Sequence, residues 1–96
     1  MKGNRAIWNY WLLVWIVYIL ECADKTLYTG ITNNLDSRIT QHNLGQGAKY
    51  TRGRGPVKIL YTENAKNRSE ALKREIAIKA MSRGDKLKLV APNQAD

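Results

Sequence analysis

Cysteine, histidine and acidic side chains are scarce in this chain, and each shortage removes a class of function. A single cysteine, Cys22, among 96 residues excludes an intrachain disulfide. With only one histidine beside it, no Cys/His cluster has zinc-ligand spacing. A reducing, cytoplasmic setting is the expectation, and Cys22 is read as a small buried apolar group rather than a nucleophile. Long apolar runs are missing too. Residues 8–20 contain Asn9 and Tyr10 and stop at Glu21, short of the roughly 20 apolar residues that a membrane helix needs. Lys2 and Arg5 ahead of that stretch imitate a signal peptide. Residues 14–20, however, are rich in β-branched and aromatic side chains and run straight into a turn, as a buried strand does. No stable membrane insertion is expected.

The length supports one compact domain and too little material for two cores. Residues 1–12 are read as an extension of unclear role, 13–91 as the domain and 92–96 as a tail. Asp and Glu are absent from the whole of 37–62, where Arg38, Lys49, Arg52, Arg54 and Lys58 all fall. The net charge of +8 and pI near 9.9 point to a polyanionic partner. DNA is the expected partner and RNA is left open. Charge of this kind argues for binding, not for catalysis.

Residues 15–21 and 26–32 flank Ala23, Asp24 and Lys25 and read as an antiparallel hairpin. Asn33 or Asn34 then caps a short helix with Leu35 and Ile39 on its apolar stripe, ending near Gly45. Residues 45–56 hold four glycines and three basic side chains without hydrophobic periodicity, which predicts an exposed basic loop. A third strand is expected at 57–61. Asn67 caps a second helix, with Glu70 at its third position and Leu72, Ile76 and Ala80 as the apolar stripe. The second helix is expected to end near Gly84, followed by a last short helix or turn at 85–90 packing Leu87 and Val90. The fold class is α+β: a small three-stranded antiparallel sheet flanked by helices, in the order β-β-α-β-α with room for an extra C-terminal helix.

Hairpin register decides whether Tyr18 and Tyr28 can cooperate, because strand side chains alternate faces. A three-residue loop at 23–25 sets Tyr18 opposite Gly30 and Leu20 opposite Tyr28, which puts both phenols on one face as diagonal neighbours. Gly30 beside them would then leave a gap through which a phosphate could approach the backbone. A two-residue loop would separate the phenols. Strand tyrosines are more often core or rim residues than catalytic ones. Arg38 and His42, four apart on the first helix, share a face. An arginine fork suits a phosphate and a histidine relays protons near neutral pH, although a solvated pair has the same spacing. Glu75 precedes Ile76 and stands four residues before Lys79. Its simplest reading is an exposed ion pair, and its other reading is a ligand for one Mg²⁺, which uses few protein groups.

Taken together, these residues resemble the GIY-YIG superfamily, and within it small stand-alone bacterial proteins similar to the nuclease domain of the Slx-type structure-specific endonucleases. Val17-Tyr18-Ile19 matches the first motif and Tyr28-Thr29-Gly30 the second. Arg38 and His42, the Gly45-Gln46-Gly47-Ala48-Lys49-Tyr50-Thr51-Arg52 loop and Ala71-Leu72-Lys73-Arg74-Glu75 continue the match over roughly 15–90. Each motif is weak alone, and the order and spacing of all of them carry the resemblance.

The resemblance implies an endonuclease that hydrolyses DNA phosphodiester bonds with one divalent cation, Mg²⁺ or another such as Mn²⁺, with repair of branched or damaged DNA as the setting. Glu75 would hold the metal and Arg38 would bind and neutralise the scissile phosphate. A tyrosine phenolate would help deprotonate water, with Tyr18 the first candidate and Tyr28 the second, and His42 would accept or relay the proton. Gly30, Lys49, Arg52 and Arg54 are the candidate nucleic-acid contacts. The first motif is Val-Tyr-Ile and the second has Thr29 at its centre, so only the tyrosines and Gly30 are retained. No zinc-binding domain of the kind that follows the nuclease in some relatives is expected, and a protein partner is the candidate for substrate targeting. The competing reading is a nucleic-acid-binding module that keeps the fold but cleaves little.

Overall fold

Lys25 takes the left-handed backbone conformation, φ 72°, and that one residue closes the hairpin on which the sheet is built. Its amide donates to the Cys22 carbonyl, and the Cys22 amide donates to the Thr26 carbonyl, both at 2.9 Å. The result is a three-residue loop. The Asp24 carboxylate accepts from the Thr26 hydroxyl at 2.6 Å and from its amide at 3.2 Å, fixing the turn from within.

The structure is a computed structural model that describes residues 14–94; the extension expected at 1–12 lies outside the described residues. Strands β1 (Trp15–Glu21) and β2 (Leu27–Thr32) lead into helix α1 (Leu35–Asn43) and a single 3₁₀ turn at Lys49–Thr51. Strand β3 (Lys58–Ala65), helices α2 (Arg68–Lys79) and α3 (Arg83–Val90) and a final 3₁₀ turn (Ala91–Gln94) complete the chain. The sheet order is β2-β1-β3 with both pairs antiparallel, so β1 is the central strand. This is the α+β fold expected, with the extra C-terminal helix present. No helix among the described residues is long and apolar enough to cross a membrane.

Alternation along β1 divides the molecule in two. Val17 and Ile19 point to one face, where they form the core with Leu60, Ala71, Ile78 and Val90 under α2 and α3. Tyr18 and Leu20 point to the other face, and all four of these β1 side chains are fully buried. Each helix starts on a side-chain cap: Asn34 Oδ1 accepts from the Ser37 amide at 3.2 Å, Asn67 Oδ1 from Glu70 at 2.9 Å, and Ser82 Oγ from Asp85 at 3.1 Å. Such caps contribute about 1 kcal/mol apiece.

Four local expectations differ from what is observed. Strand β3 runs four residues beyond 61, through the polar Thr62, Glu63 and Asn64, because an edge strand needs only one apolar face. Opposite Ile19 and Leu20 its register slips past Leu60 in a bulge, and Leu60 joins the core. On α2 the buried residues are Ala71 and Ile78, whereas Ile76 is 66% exposed. The helix also stops at Lys79, since Ser82 caps a separate α3. Val90 is buried there and Leu87 is exposed.

The stripe assignment has a direct check in urea unfolding. Ile78→Ala empties a fully buried site and is expected to cost about 2–5 kcal/mol, while Ile76→Ala changes stability by about 0.5 kcal/mol or less. Equal losses would place Ile76 in the core after all.

Candidate active site

The Tyr18 hydroxyl lies 3.0 Å from His42 Nε2, and His42 Nδ1 lies 2.7 Å from Thr51 Oγ1. Thr51 Oγ1 in turn donates to the Ala48 carbonyl at 3.0 Å. Donor accounting fixes the direction of this chain. Thr51 has one hydroxyl proton and gives it to Ala48, so it accepts from His42 Nδ1–H. The neutral imidazole then has its lone pair on Nε2, where it accepts the Tyr18 proton. Tyr18 and Thr51 are fully buried and His42 nearly so, so each group depends on the next for its hydrogen bond.

Two glycines make room for the chain. A Cβ at Gly47 would lie 2.5 Å from His42 Nδ1, and one at Gly30 would lie 2.5 Å from the Tyr18 oxygen. The space over Gly30, expected to admit a phosphate, is taken by the Tyr18 phenol instead. Tyr18 opposes Gly30 and Leu20 opposes Tyr28, as the three-residue loop requires. The two phenol rings are 6.3 Å apart between centroids, and the Tyr28 ring is 5.3 Å from His42.

Arg38, one turn before His42 on α1, stands beside both phenol oxygens, and its guanidinium donates to Gln41 at 3.1 Å. Burial pushes the Tyr18 phenol above its ordinary value; Arg38 pulls it down, and Tyr28 and Glu75 push it further up. Burial wins, so Tyr18 keeps its proton. His42 moves the opposite way, held below the usual imidazole value first by burial and then by the Arg38 charge. A neutral imidazole thus faces a protonated phenol.

Tyr28 is partly exposed and borders a cleft of about 400 Å³ with Tyr50 and Lys79. Tyr50 stacks on Tyr28 at 5.9 Å, and the Arg54 guanidinium lies 4.6 Å above the Tyr50 ring. Arg54 is also ion-paired with Asp24 at the hairpin tip, and its carbonyl accepts from the Ala23 amide at 2.7 Å. The structure thereby gives Arg54 a role in clamping the basic loop. Lys49 and Arg52 are exposed. Thr51, Gly47 and Tyr50 lie in the loop of residues 45–52, and nothing in the sequence marks them apart from their neighbours. A lone hydroxyl in a basic, glycine-rich segment carries no periodic signal, and its partner becomes visible only once α1 is placed.

Glu75 lies between Ala71 and Ile78 on the inward stripe of α2, its side chain 15% exposed. One carboxylate oxygen pairs with Lys79 Nζ at 3.2 Å, the simple reading of the i,i+4 spacing. The donor set still fits a metal of the expected kind. A lone carboxylate oxygen donor is of the type that suits Mg²⁺, which keeps most of its waters and uses few protein ligands; no group of three His, Cys, Asp or Glu that could hold a metal lies among the described residues.

This hairpin with its paired tyrosines, the Arg38/His42 helix and the single carboxylate on α2 is the frame of one protein class. The model of the GIY-YIG catalytic domain matches residues 14–88, and the chain belongs to that family. A UPF0213 protein of Clostridium perfringens is 59% identical over 75 residues, covering 78% of this chain and 81% of the relative. One from Oceanobacillus iheyensis is 55% identical over 74 residues, covering 77% and 86%. Among solved structures, the solution NMR structure of a Bacillus halodurans UPF0213 protein is 46% identical with a TM-score of 0.53, covering 81% of this chain and 83% of that one. A protein from E. faecalis is 38% identical with a TM-score of 0.59, covering 86% and 88%.

Two measurements probe the buried chain. Gly47→Ala forces a methyl into the His42 ring and is expected to destabilise by about 1–3 kcal/mol, read as a lower urea midpoint. The His42 shift has a definite sign: its folded-state pKa is below the unfolded value near 6.5, so the unfolded chain takes up the proton first. The stabilisation is complete above about pH 6.5 and is lost as pH falls from there through the folded value. Urea midpoints taken between pH 7.5 and pH 5 should fall in the wild type and fall less in His42→Gln. Parallel profiles would remove His42 as the source.

Proposed function

We propose that this protein is a metal-dependent endonuclease that hydrolyses DNA phosphodiester bonds, with branched or damaged DNA as its candidate substrate class. The observation that carries the reading is the buried phenol–imidazole pair of Tyr18 and His42, set beside the Arg38 guanidinium in a chain of the GIY-YIG family. A bland core would not place a cation, a neutral imidazole and two phenols together on the polar face of its central strand. Reducing cytoplasm is the setting proposed for it.

Arg38 is the phosphate ligand in this reading. Its fork can meet two phosphate oxygens, and its charge offsets the charge that builds on them during displacement. Glu75 would hold one Mg²⁺ or Mn²⁺, with the Lys79 pair giving way. The metal, when bound, supplies Lewis-acid stabilisation of the phosphate and a more acidic water. Between the two phenols, exposure decides. Tyr18 has no accessible surface, whereas Tyr28 opens onto the cleft. Arg38 is also within reach of the Tyr28 oxygen, so a phosphate held by Arg38 would lie beside that phenol. Tyr28 is therefore the proposed base, replacing Tyr18 as first candidate. Tyr18, donating to His42 Nε2, holds Arg38 and the ring of Tyr28 in place.

The second reading, a binding module with little cleavage, draws on the Glu75–Lys79 ion pair, which occupies the only proposed metal ligand. Purified protein incubated with labelled duplex, flap and single-stranded DNA in Mg²⁺ or EDTA separates the two. The nuclease reading expects cleavage that EDTA and Glu75→Ala both abolish. Cleavage that survives in Glu75→Ala marks a contaminant, and salt-sensitive binding without cleavage establishes the module. In the active case, Tyr28→Phe should lower kcat by about 10²-fold or more and Tyr18→Phe by less. The reverse order would make Tyr18 the base.

A further inference from the structure

The cleft beside Tyr28 continues past Leu27, Tyr50 and Lys86 into a smaller one of about 180 Å³ that reaches Thr26 and Arg83. One wall is strand β2 with the Tyr28 and Tyr50 rings. The other carries Lys79 from the end of α2 and Arg83 and Lys86 from α3, and among the described residues no carboxylate lines either part. Lys79 is paired with Glu75, but Arg83 and Lys86 make no ion pair among the described residues. Elsewhere on these helices the pattern differs: Lys73, Arg74 and Lys88 each sit on a Glu or Asp. On α2 and α3 three cations thus make no ion pair among the described residues: Arg68, whose guanidinium lies 5.9 Å from the centroid of the Trp15 ring, and Arg83 and Lys86, which stand together in the groove that leads away from Tyr28.

We propose that this groove holds the phosphates of the nucleic-acid strand next to the bond at Tyr28, with Arg83 and Lys86 as the phosphate contacts and Lys79 joining them when Glu75 releases it. The proposal rests on the nuclease reading and names where the substrate strand runs. A row of fixed cations opposite aromatic and aliphatic surface matches a phosphodiester backbone, which offers one negative charge per nucleotide and apolar sugar faces between them. None of the three residues contributes to the Tyr18–His42 chain, so binding along the groove is separable from the chemistry beside it. Sequence alone hid the groove, because Lys79, Arg83 and Lys86 come together only when α3, which begins at Arg83 and not at 85, is placed against β2.

The test is equilibrium binding of labelled single-stranded and duplex DNA in EDTA across a range of salt, comparing wild type with the Arg83→Ala/Lys86→Ala double variant. A charge-matched control, Lys73→Ala/Lys88→Ala, removes two cations away from the groove. Each lost phosphate contact should reduce the slope of log affinity against log salt by about 0.7 for single strands and about 0.9 for duplex. The groove variant should lose about 1.4 and about 1.8 respectively, and the control less than half of that. Arg83→Gln/Lys86→Gln, which keeps the side-chain stems, repeats the measurement if the alanine variant unfolds. Unchanged slopes in the groove variants overturn the proposal while leaving the nuclease reading intact, and equal falls in groove and control variants reduce it to net charge. Absence of any DNA binding by the wild type overturns the nucleic-acid reading and the groove with it.

Discussion

The odd length of the β1–β2 loop governs everything built on this sheet. Side chains alternate along a strand, so one residue more or fewer between Cys22 and Thr26 would turn the side chains of β2 to the opposite face. Tyr28 would then enter the apolar core, and Gly30 would no longer clear a space for the Tyr18 oxygen. The loop is strained for a lysine, since a left-handed conformation at a residue with a Cβ costs about 1–2 kcal/mol. That cost is offset at the tip itself. Asp24 binds the Thr26 hydroxyl and amide, and these, ahead of Arg54, hold its carboxyl below the usual carboxylate range. The strain is confined to an exposed turn, away from the groups whose positions it sets.

Above the sheet, opposing effects are balanced within a few ångströms. Burial favours the neutral forms of Tyr18 and His42, and Arg38 favours an ionised phenol but a neutral imidazole. The outcome is a proton resting on the phenol and an acceptor ready on the ring. Such an arrangement requires that no polar group be left unpaired, and among the described residues no buried side-chain nitrogen or oxygen lacks a hydrogen-bond partner. Thr51 completes it. Were that hydroxyl proton not already committed to Ala48, the imidazole could take the other tautomer, with Nδ1 accepting from Thr51 and Nε2–H, no longer an acceptor, facing the Tyr18 oxygen.

Much of this was legible in the residue order. The hairpin, the cap at Asn67, a cap at Asn33 or Asn34 and the basic loop follow from local rules of turn and helix chemistry, and the convergence of Tyr18 and Tyr28 follows once the loop is three residues long. What escaped was whatever depends on neighbours distant in sequence. The polar half of β3 looks like a loop until β1 is beside it. Ile76 looks like core until α2 is rotated onto the sheet, when Glu75 takes the inward position between Ala71 and Ile78. The Thr51 hydroxyl and the Gly47 clearance belong to the same category, because both are defined only by the place His42 occupies. Arg54 reads in sequence as a candidate nucleic-acid contact of an exposed loop, and its partner lies thirty residues upstream at the other end of the clamp.

Tyr18 belongs to a strand paired on both sides, whereas the side chain that orients its partner comes from an irregular segment. These two supports tolerate change very differently. A paired central strand cannot gain or lose a residue without re-registering the sheet, but a loop can lengthen while keeping one hydroxyl in place. Diversification within such a scaffold is therefore channelled into residues 45–56, where altered length or charge can reshape what approaches the site while the tyrosine beneath it stays where it is.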